Sequence, residues 1–250
     1  MKINKIKKLS NNRYKIELDN DSIILYEDVI IDNNILYKKE IDEDLLKKIN
    51  KENIYDEAYN KTLKYVMTKM RSINEVEIYL NKMEISYTNK KSIIKKLKNI
   101  NLLNDQLYAE AYISDKINLT SDGPFKIKKY LLSQKIDSSI IDSIIEQYDD
   151  SIFEEKIIKI IKKKKNIKYS DYIFKQKLLV YLTNLGYSKE QVIPVLNTIN
   201  TDNSDIIKKE YNILYTKLAK KYEEPKLSYE IKNRLYKKGF SLDDINNIKE

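Results

Sequence analysis

The stretch Leu103–Ile136, LNDQLYAEAYISDKINLTSDGPFKIKKYLLSQKI, decides how the rest of the chain is read. It reads as a helix, a short break and a second helix, with Asp137 opening a third. Asn104 or Asp105 caps the first helix, since a short polar side chain can accept from the unpaired amides there. Apolar spacing sends Leu107, Ala111 and Ile113 toward a core. The break holds Asp122-Gly123-Pro124, and proline suits a first helical position because its missing N–H would have no partner there anyway. The second helix carries Ile127, Tyr130, Leu131 and Gln134 along one side, with Lys126, Lys128 and Lys129 among them.

This three-helix unit recurs. Leu80, Leu131, Leu182 and Leu235 each end a second helix, at spacings of 51, 51 and 53 residues. Five positions later stand Ile85, Ile136, Tyr187 and Phe240, followed by the capping residues Ser86, Asp137, Ser188 and Ser241. Ile93, Ile144, Val195 and Ile248 then fall inside the third helices. Gly186 and Gly239, two of only three glycines, precede the aromatic residue, where a left-handed residue closes a helix. Ser72–Glu75, Ser151–Glu154 and Ser188–Gln191 match the capping box, and Ser170 starts the long helix through Lys175–Leu185. Pro225 separates the first two helices of the last copy, and Pro194 kinks or shortens a third helix. Ahead of the repeats, Lys2–Leu9, Arg13–Leu18 and Ser22–Tyr26 read as strands, with short helices from Glu27 and Asp42. The division is therefore 1–52, an α+β segment, then helical repeats at 53–101, 102–149, 150–200 and 201–250.

LLNDQLYAEAYISDK, a glycine-containing break and IKKYLLSQKI together resemble the central motif of the RecX family. AYNKTLKYVMTKMRSINEVEIYLNKMEI (Ala58–Ile85) is similar to the same family's opening motif, with Arg71-Ser72 and an acidic residue before the helix that ends in leucine. The resemblance is best over Ala58–Tyr148, extends to Ile199 and is faint in the final copy. It implies a mainly α protein whose tandem three-helix repeats form an elongated crescent behind the small N-terminal segment. It also implies a non-enzymatic regulator of the RecA recombinase in DNA repair, recombination and the SOS response. Such a protein binds the RecA–single-stranded-DNA filament and mostly inhibits its ATPase, growth and strand exchange. DNA itself, single- or double-stranded, is a further expected partner, and the chain is expected to be a monomer. The alternative is an autonomous DNA-binding repeat protein that acts without RecA.

Composition narrows the chemistry. The 250 residues hold no histidine and no cysteine, which removes the usual general base, the thiol nucleophile and soft metal ligands. Three glycines cannot build a glycine-rich phosphate loop, so no catalytic residue and no cofactor is expected. Asp42-Glu43-Asp44, Asp149-Asp150 and Glu154-Glu155 sit at helix starts, where the dipole favours them, and not as metal ligands. No signal sequence and no apolar run long enough to span a membrane is read in it, so a cytoplasmic chain is expected. A net charge of +9 suggests a polyanionic partner, although coding bias toward lysine and tyrosine also contributes. The candidate contacts are Arg71, Lys126, Lys128, Lys129, the run Lys162, Lys163, Lys164 and Lys165, and Arg234. Tyr108 and Tyr112, four apart on one helix, are read as packing residues and not as base-stacking ones.

Overall fold

The computed structural model describes residues 1–19, 21–164, 166, 168–199 and 203–248. They form two compact units, Met1–Tyr108 and Ala109–Glu250.

The first unit opens on an antiparallel meander of β1 (Ile3–Leu9), β2 (Arg13–Leu18) and β3 (Ser22–Tyr26), in that order. Asn11 and Asn12 both take positive φ, 57 and 52, which is the backbone a tight hairpin turn needs. Alternation along β2 turns Ile16 and Leu18 inward, where they meet Leu25 of β3 and Val29 and Ile30 of α1 (Glu27–Asp32). Ile35, Ile41 and Ile49 complete this core.

Asp42 caps α2 (Glu43–Thr68) by accepting from the Leu45 amide at 2.7 Å. Where the sequence suggested a short helix closing the leader, α2 runs unbroken for 26 residues, straight through position 52. Lys51-Glu52-Asn53-Ile54 contains no glycine or proline to stop it. Ile49 therefore serves the leader core, while Ala58 and Val66 of the same helix serve a second core. In that second core they pack with Val76 and Leu80 of α3 (Ile73–Leu80) and Ile93 and Leu97 of α4 (Tyr87–Asn99).

The repeat continues through α5 (Asp105–Leu119), α6 (Pro124–Ser133) and α7 (Ser138–Ile145). Next come α8 (Asp150–Lys163), α9 (Asp171–Asn184) and α10 (Lys189–Asn197). Last are α11 (Asn203–Leu218), α12 (Lys226–Lys237) and α13 (Leu242–Asn246). Leu80, Leu131, Leu182 and Leu235 are all 0% exposed. In the last three copies Lys135, Gly186 and Gly239 take positive φ of 60, 95 and 86. The next amide then bonds back to the leucine carbonyl: Ile136 to Leu131 at 3.2 Å, Tyr187 to Leu182 at 3.2 Å, Phe240 to Leu235 at 3.4 Å. This six-to-one closure folds an apolar residue under the helix end. The first copy turns differently, with the Ile85 amide on the Met83 carbonyl. Ser86, Asp137, Ser188 and Ser241 each cap a third helix through their side chains.

Three details depart from the sequence expectation. On α5 the buried stripe is Ala109, Ile113 and Ile117, with Tyr108 beside it; Leu107 is 46% exposed and Ala111 is exposed too. Two β-branched residues at four-residue spacing outweigh the Leu107–Ala111 pair, which shares only Ile113 with them. Asp149, not Ser151, caps α8, because its shorter reach to the Ser151 amide (2.8 Å) starts the helix earlier. Ile248 lies beyond α13, partly buried, and Ile245 fills the core in its place. Tyr108 is buried, and Tyr112 stacks on Tyr130 with centroids 4.4 Å apart, so both pack as expected.

Consecutive copies are tied by backbone. At the start of α6 the Gly123 amide donates to the Leu185 carbonyl at 2.7 Å, and the Phe125 amide to the Gly186 carbonyl at 3.0 Å. A Cβ on Gly123 would lie 2.5 Å from the Gly186 carbonyl carbon, and one on Gly186 2.5 Å from the Lys126 nitrogen. At the start of α9 the Ser170 amide donates to the Lys238 carbonyl at 3.0 Å, beside Gly239. Side chains add a second tie. The first amide of α3, Ile73, donates to Asp105 at 2.9 Å, and that of α9, Asp171, to Asn203 at 2.9 Å, each partner being the first residue of a following helix. Pro124 holds the corresponding first position of α6 and has no amide to offer.

Two substitutions test this joint. Gly186→Ala should cost about 2–4 kcal/mol in urea unfolding, since both the positive φ and the close approach oppose a side chain. Tyr187→Phe should be neutral or stabilising, because the Tyr187 hydroxyl is buried without a partner and the matching residue of the last copy is Phe240. A loss above about 1 kcal/mol for Tyr187→Phe would contradict this packing.

Candidate nucleic-acid interface

α8 has two faces. Phe153, Ile157 and Ile161, four apart, are buried. Lys156, Lys159 and Lys163, three and four apart, line the other side of a cleft of about 560 Å³. The opposite wall is the C-terminal end of α5, Ile117 to Ser121. Lys156 Nζ donates to the Ile117 carbonyl at 2.7 Å and the Lys116 carbonyl at 3.4 Å, where helix-end carbonyls carry partial negative charge. Burial lowers the Lys156 pKa, with Asp122 opposing the shift.

Lys164 and Tyr181 close this cleft and open a second of about 240 Å³, whose walls include Tyr169, Phe174 and Lys177. Lys164 Nζ sits 4.3 Å from the Tyr181 ring centroid. Lys177 and Lys168 sit 4.8 Å and 5.3 Å from that of Tyr169. Asn166 fixes the turn under Tyr169 by accepting from its amide at 3.1 Å and donating to its carbonyl at 2.6 Å. Tyr181 is 38% exposed. Lys162 and Lys163 are exposed and have no ion-pair partner among the described residues. Lys159 pairs with Glu155 at 3.3 Å, but both side chains are well exposed, so the pair is weak. The result is a groove with six ammonium groups and two accessible rings. Ammoniums attract phosphates, and ring faces accept flat bases, so the arrangement suits single-stranded nucleic acid.

The other sequence candidates lie in different settings. Lys126 pairs with Asp122 at 2.5 Å, and Lys128 spans both oxygens of Asp142 at 2.5 Å and 2.7 Å. Lys129 is exposed and lines a separate cleft with Phe125 and Thr183. Arg71 lies 4.0 Å from the Tyr65 centroid, and Tyr65 stacks on Tyr79 at 4.1 Å. Arg71 also holds Glu75 at 3.3 Å, with its Nε buried and unbonded, so little of it reaches solvent. Arg234 is 3.9 Å from Glu230. Lys165 lies outside the described residues. Lys156, Lys159, Lys168 and Lys177 were not singled out in the sequence. The three-and-four spacing of the α8 lysines, opposite Phe153, Ile157 and Ile161, was the available signal.

This architecture defines a class: a helical-repeat protein of three-helix units with a small N-terminal sheet. A RecX profile, described as the second three-helix domain, matches residues 104–144. Regulatory protein RecX of Lactococcus lactis subsp. lactis (strain IL1403) is 34% identical over 98% of this chain and 95% of its own. Regulatory protein RecX of Streptococcus agalactiae serotype III (strain NEM316) is 31% identical, over 98% and 97%. A crystal structure of regulatory protein RecX superposes with TM-score 0.64 at 26% identity, covering 79% of this chain and all of that one. RecX from Lactobacillus salivarius gives 0.52 at 26% identity, over 58% and 98%. The chain belongs to the RecX family, whose named members are regulatory proteins.

The groove makes two separable predictions. Replacing Lys163 and Lys164 with alanine should weaken binding of a single-stranded oligonucleotide and flatten the salt dependence by about 0.7 per lysine lost. Tyr181→Ala should cost about 1–3 kcal/mol with the slope unchanged. Equal affinities for all three proteins would remove the groove as the contact.

Proposed function

We propose that this RecX-family regulator acts on the RecA recombinase. It binds the RecA–single-stranded-DNA filament and restrains ATP turnover, filament growth and strand exchange, as a cytoplasmic monomer. The observation that carries this reading is the similarity to Regulatory protein RecX over 98% of the chain. Further support comes from the α8–α9 groove, lined by Lys163 and Lys164, which fits the filament's DNA or an acidic face beside it. Residues 53–101, 102–149, 150–200 and 201–250 act in this reading as four successive units behind residues 1–52. A repeated array suits a polymeric target, because each contact raises the effective concentration of the next. Binding one filament state more tightly than another then shifts the population toward it, and every catalytic group belongs to RecA. No helix among the described residues is long and apolar enough to cross a membrane.

A second reading, autonomous DNA binding without RecA, is favoured by the same lysines and tyrosines. One experiment separates the two: RecA ATPase on single-stranded DNA with substoichiometric amounts of this protein, beside a salt titration on naked DNA. The expected result is inhibition at salt where naked DNA is bound weakly. Tight, salt-sensitive DNA binding with unchanged RecA turnover would overturn the proposal in favour of the second reading.

A further inference from the structure

A second cleft, of about 810 Å³, lies wholly within the first unit and has the opposite character from the rest of this basic chain. Asp28 and Asp32 stand four apart on α1, and Glu52 and Asp56 four apart on α2, so each helix turns a like-charged pair into the cleft. Such pairs destabilise a helix unless something compensates them. Glu84 adds a fifth carboxylate, against two lysines, Lys51 and Lys96. Glu52 is engaged by Asn33 at 2.6 Å and Lys48 at 3.7 Å. Asp28, Asp32 and Glu84 have no ion-pair partner among the described residues.

Asp56 is the unusual member. It is 8% exposed, yet its carboxylate has neither a hydrogen bond nor an ion pair. The groups facing it are Asp28 and Asp32 from α1, Glu52 from its own helix and Lys96 from α4. Lys96 is held over the Tyr59 ring, 4.0 Å from the centroid. Burial, first of all, and then Asp28 push the Asp56 pKa up to about 6, with Lys96 pulling the other way. A largely buried carboxylate with no hydrogen bond or ion pair is costly to keep, and Lys96 offsets that cost only in part. Among the described residues no three carboxylates stand close enough to hold a metal ion, so one compact cation does not fit. Ile31 and Ile54, 59% and 47% exposed, border the acidic groups. A cationic head on an aliphatic stem matches that combination, and lysine and arginine side chains have this form.

We propose that this cleft is a docking site for a basic segment of a partner protein, with an arginine or lysine head paired to Asp56 and flanked by Asp28 and Asp32. This interaction is independent of the α8–α9 groove, and either can fail without the other.

The test uses the full chain and a fluorescent, end-blocked hexa-arginine peptide. At about pH 7.5, Asp56→Asn should bind about tenfold more weakly than the natural chain. Asp28→Asn, at an exposed position, should also weaken binding, whereas Glu155→Gln, on α8, should not. At about pH 5 the natural chain should fall toward Asp56→Asn, because Asp56 is by then mostly protonated. The sign of the stability effect is also fixed. The folded pKa of about 6 exceeds the ordinary 3.8, so the folded state gains protons first and Asp56 adds stability as pH falls through that window. Asp56→Asn should abolish that pH-dependent gain and unfold no earlier than the natural chain, so lost binding cannot be put down to misfolding. Equal affinities, an equal loss for Glu155→Gln, or no saturable binding would overturn the proposal. So would a self-association that disappears in Asp56→Asn, which would put a second copy of this chain in the cleft.

Discussion

Every α-helix begins with amides that have no partner inside the helix, and a buried helix start must find acceptors elsewhere. In the second unit these acceptors come from the turn that ends the second helix of the next copy. Gly123 and Phe125 donate to the Leu185-Gly186 turn, and Ser170 to the Lys238-Gly239 turn. The same left-handed turn that buries Tyr187 and Phe240 thus presents its carbonyls outward to the preceding copy. One local geometry therefore closes a helix, fills a core and joins two copies. That explains why a chain with only three glycines places all of them at these joints.

The joint also bears on the basic groove. α8 and α9 belong to one copy, and the wall facing α8 is the end of α5 from the copy before it. Lys156 bonds carbonyls at that end, so the groove depends on two copies keeping their register. Its lysines are held on helices, except for Lys164 and Lys168, which lie in the α8–α9 connection. A surface of this kind offers many modest contacts spread over two helices and the connection between them. The acidic cleft sits at the other end of the chain sequence, where α1 packs on α2, and gives the protein two surfaces of opposite sign.

Much of the fold was legible in the sequence because it rests on local chemistry. The Asn11-Asn12 turn, the caps at Asp42 and Ser188 and the leucine spacing are each fixed by residues within a few positions of one another. Resemblance to RecX could be read for the same reason, its motifs being short helical phrases. The departures arise where one local signal competes with another. Leu107 lost its place to Ala109 because two stripes on α5 were both apolar enough, and only packing chooses between them. Ser151 lost the cap because Asp149 offers an acceptor two residues earlier. The site was less legible. A lysine's role depends on which carboxylate or ring stands near it, and Asp142 is 14 residues from Lys128, Tyr181 17 from Lys164. Arg71 read as a candidate contact, and its surroundings, the Tyr65–Tyr79 stack and Glu75, could not be seen from its neighbours in sequence.

Native-state hydrogen exchange tests the joint most directly. The amides of Gly123, Phe125 and Ser170 stand at helix starts, where exchange is ordinarily fast because local fraying suffices. If the neighbouring copy holds them, they should exchange as slowly as the core amides of Leu131 and Leu182, opening only when the whole unit unfolds. Exchange at the rate of an exposed helix start, with Leu131 and Leu182 still protected, would mean that the copies are not tied by these bonds.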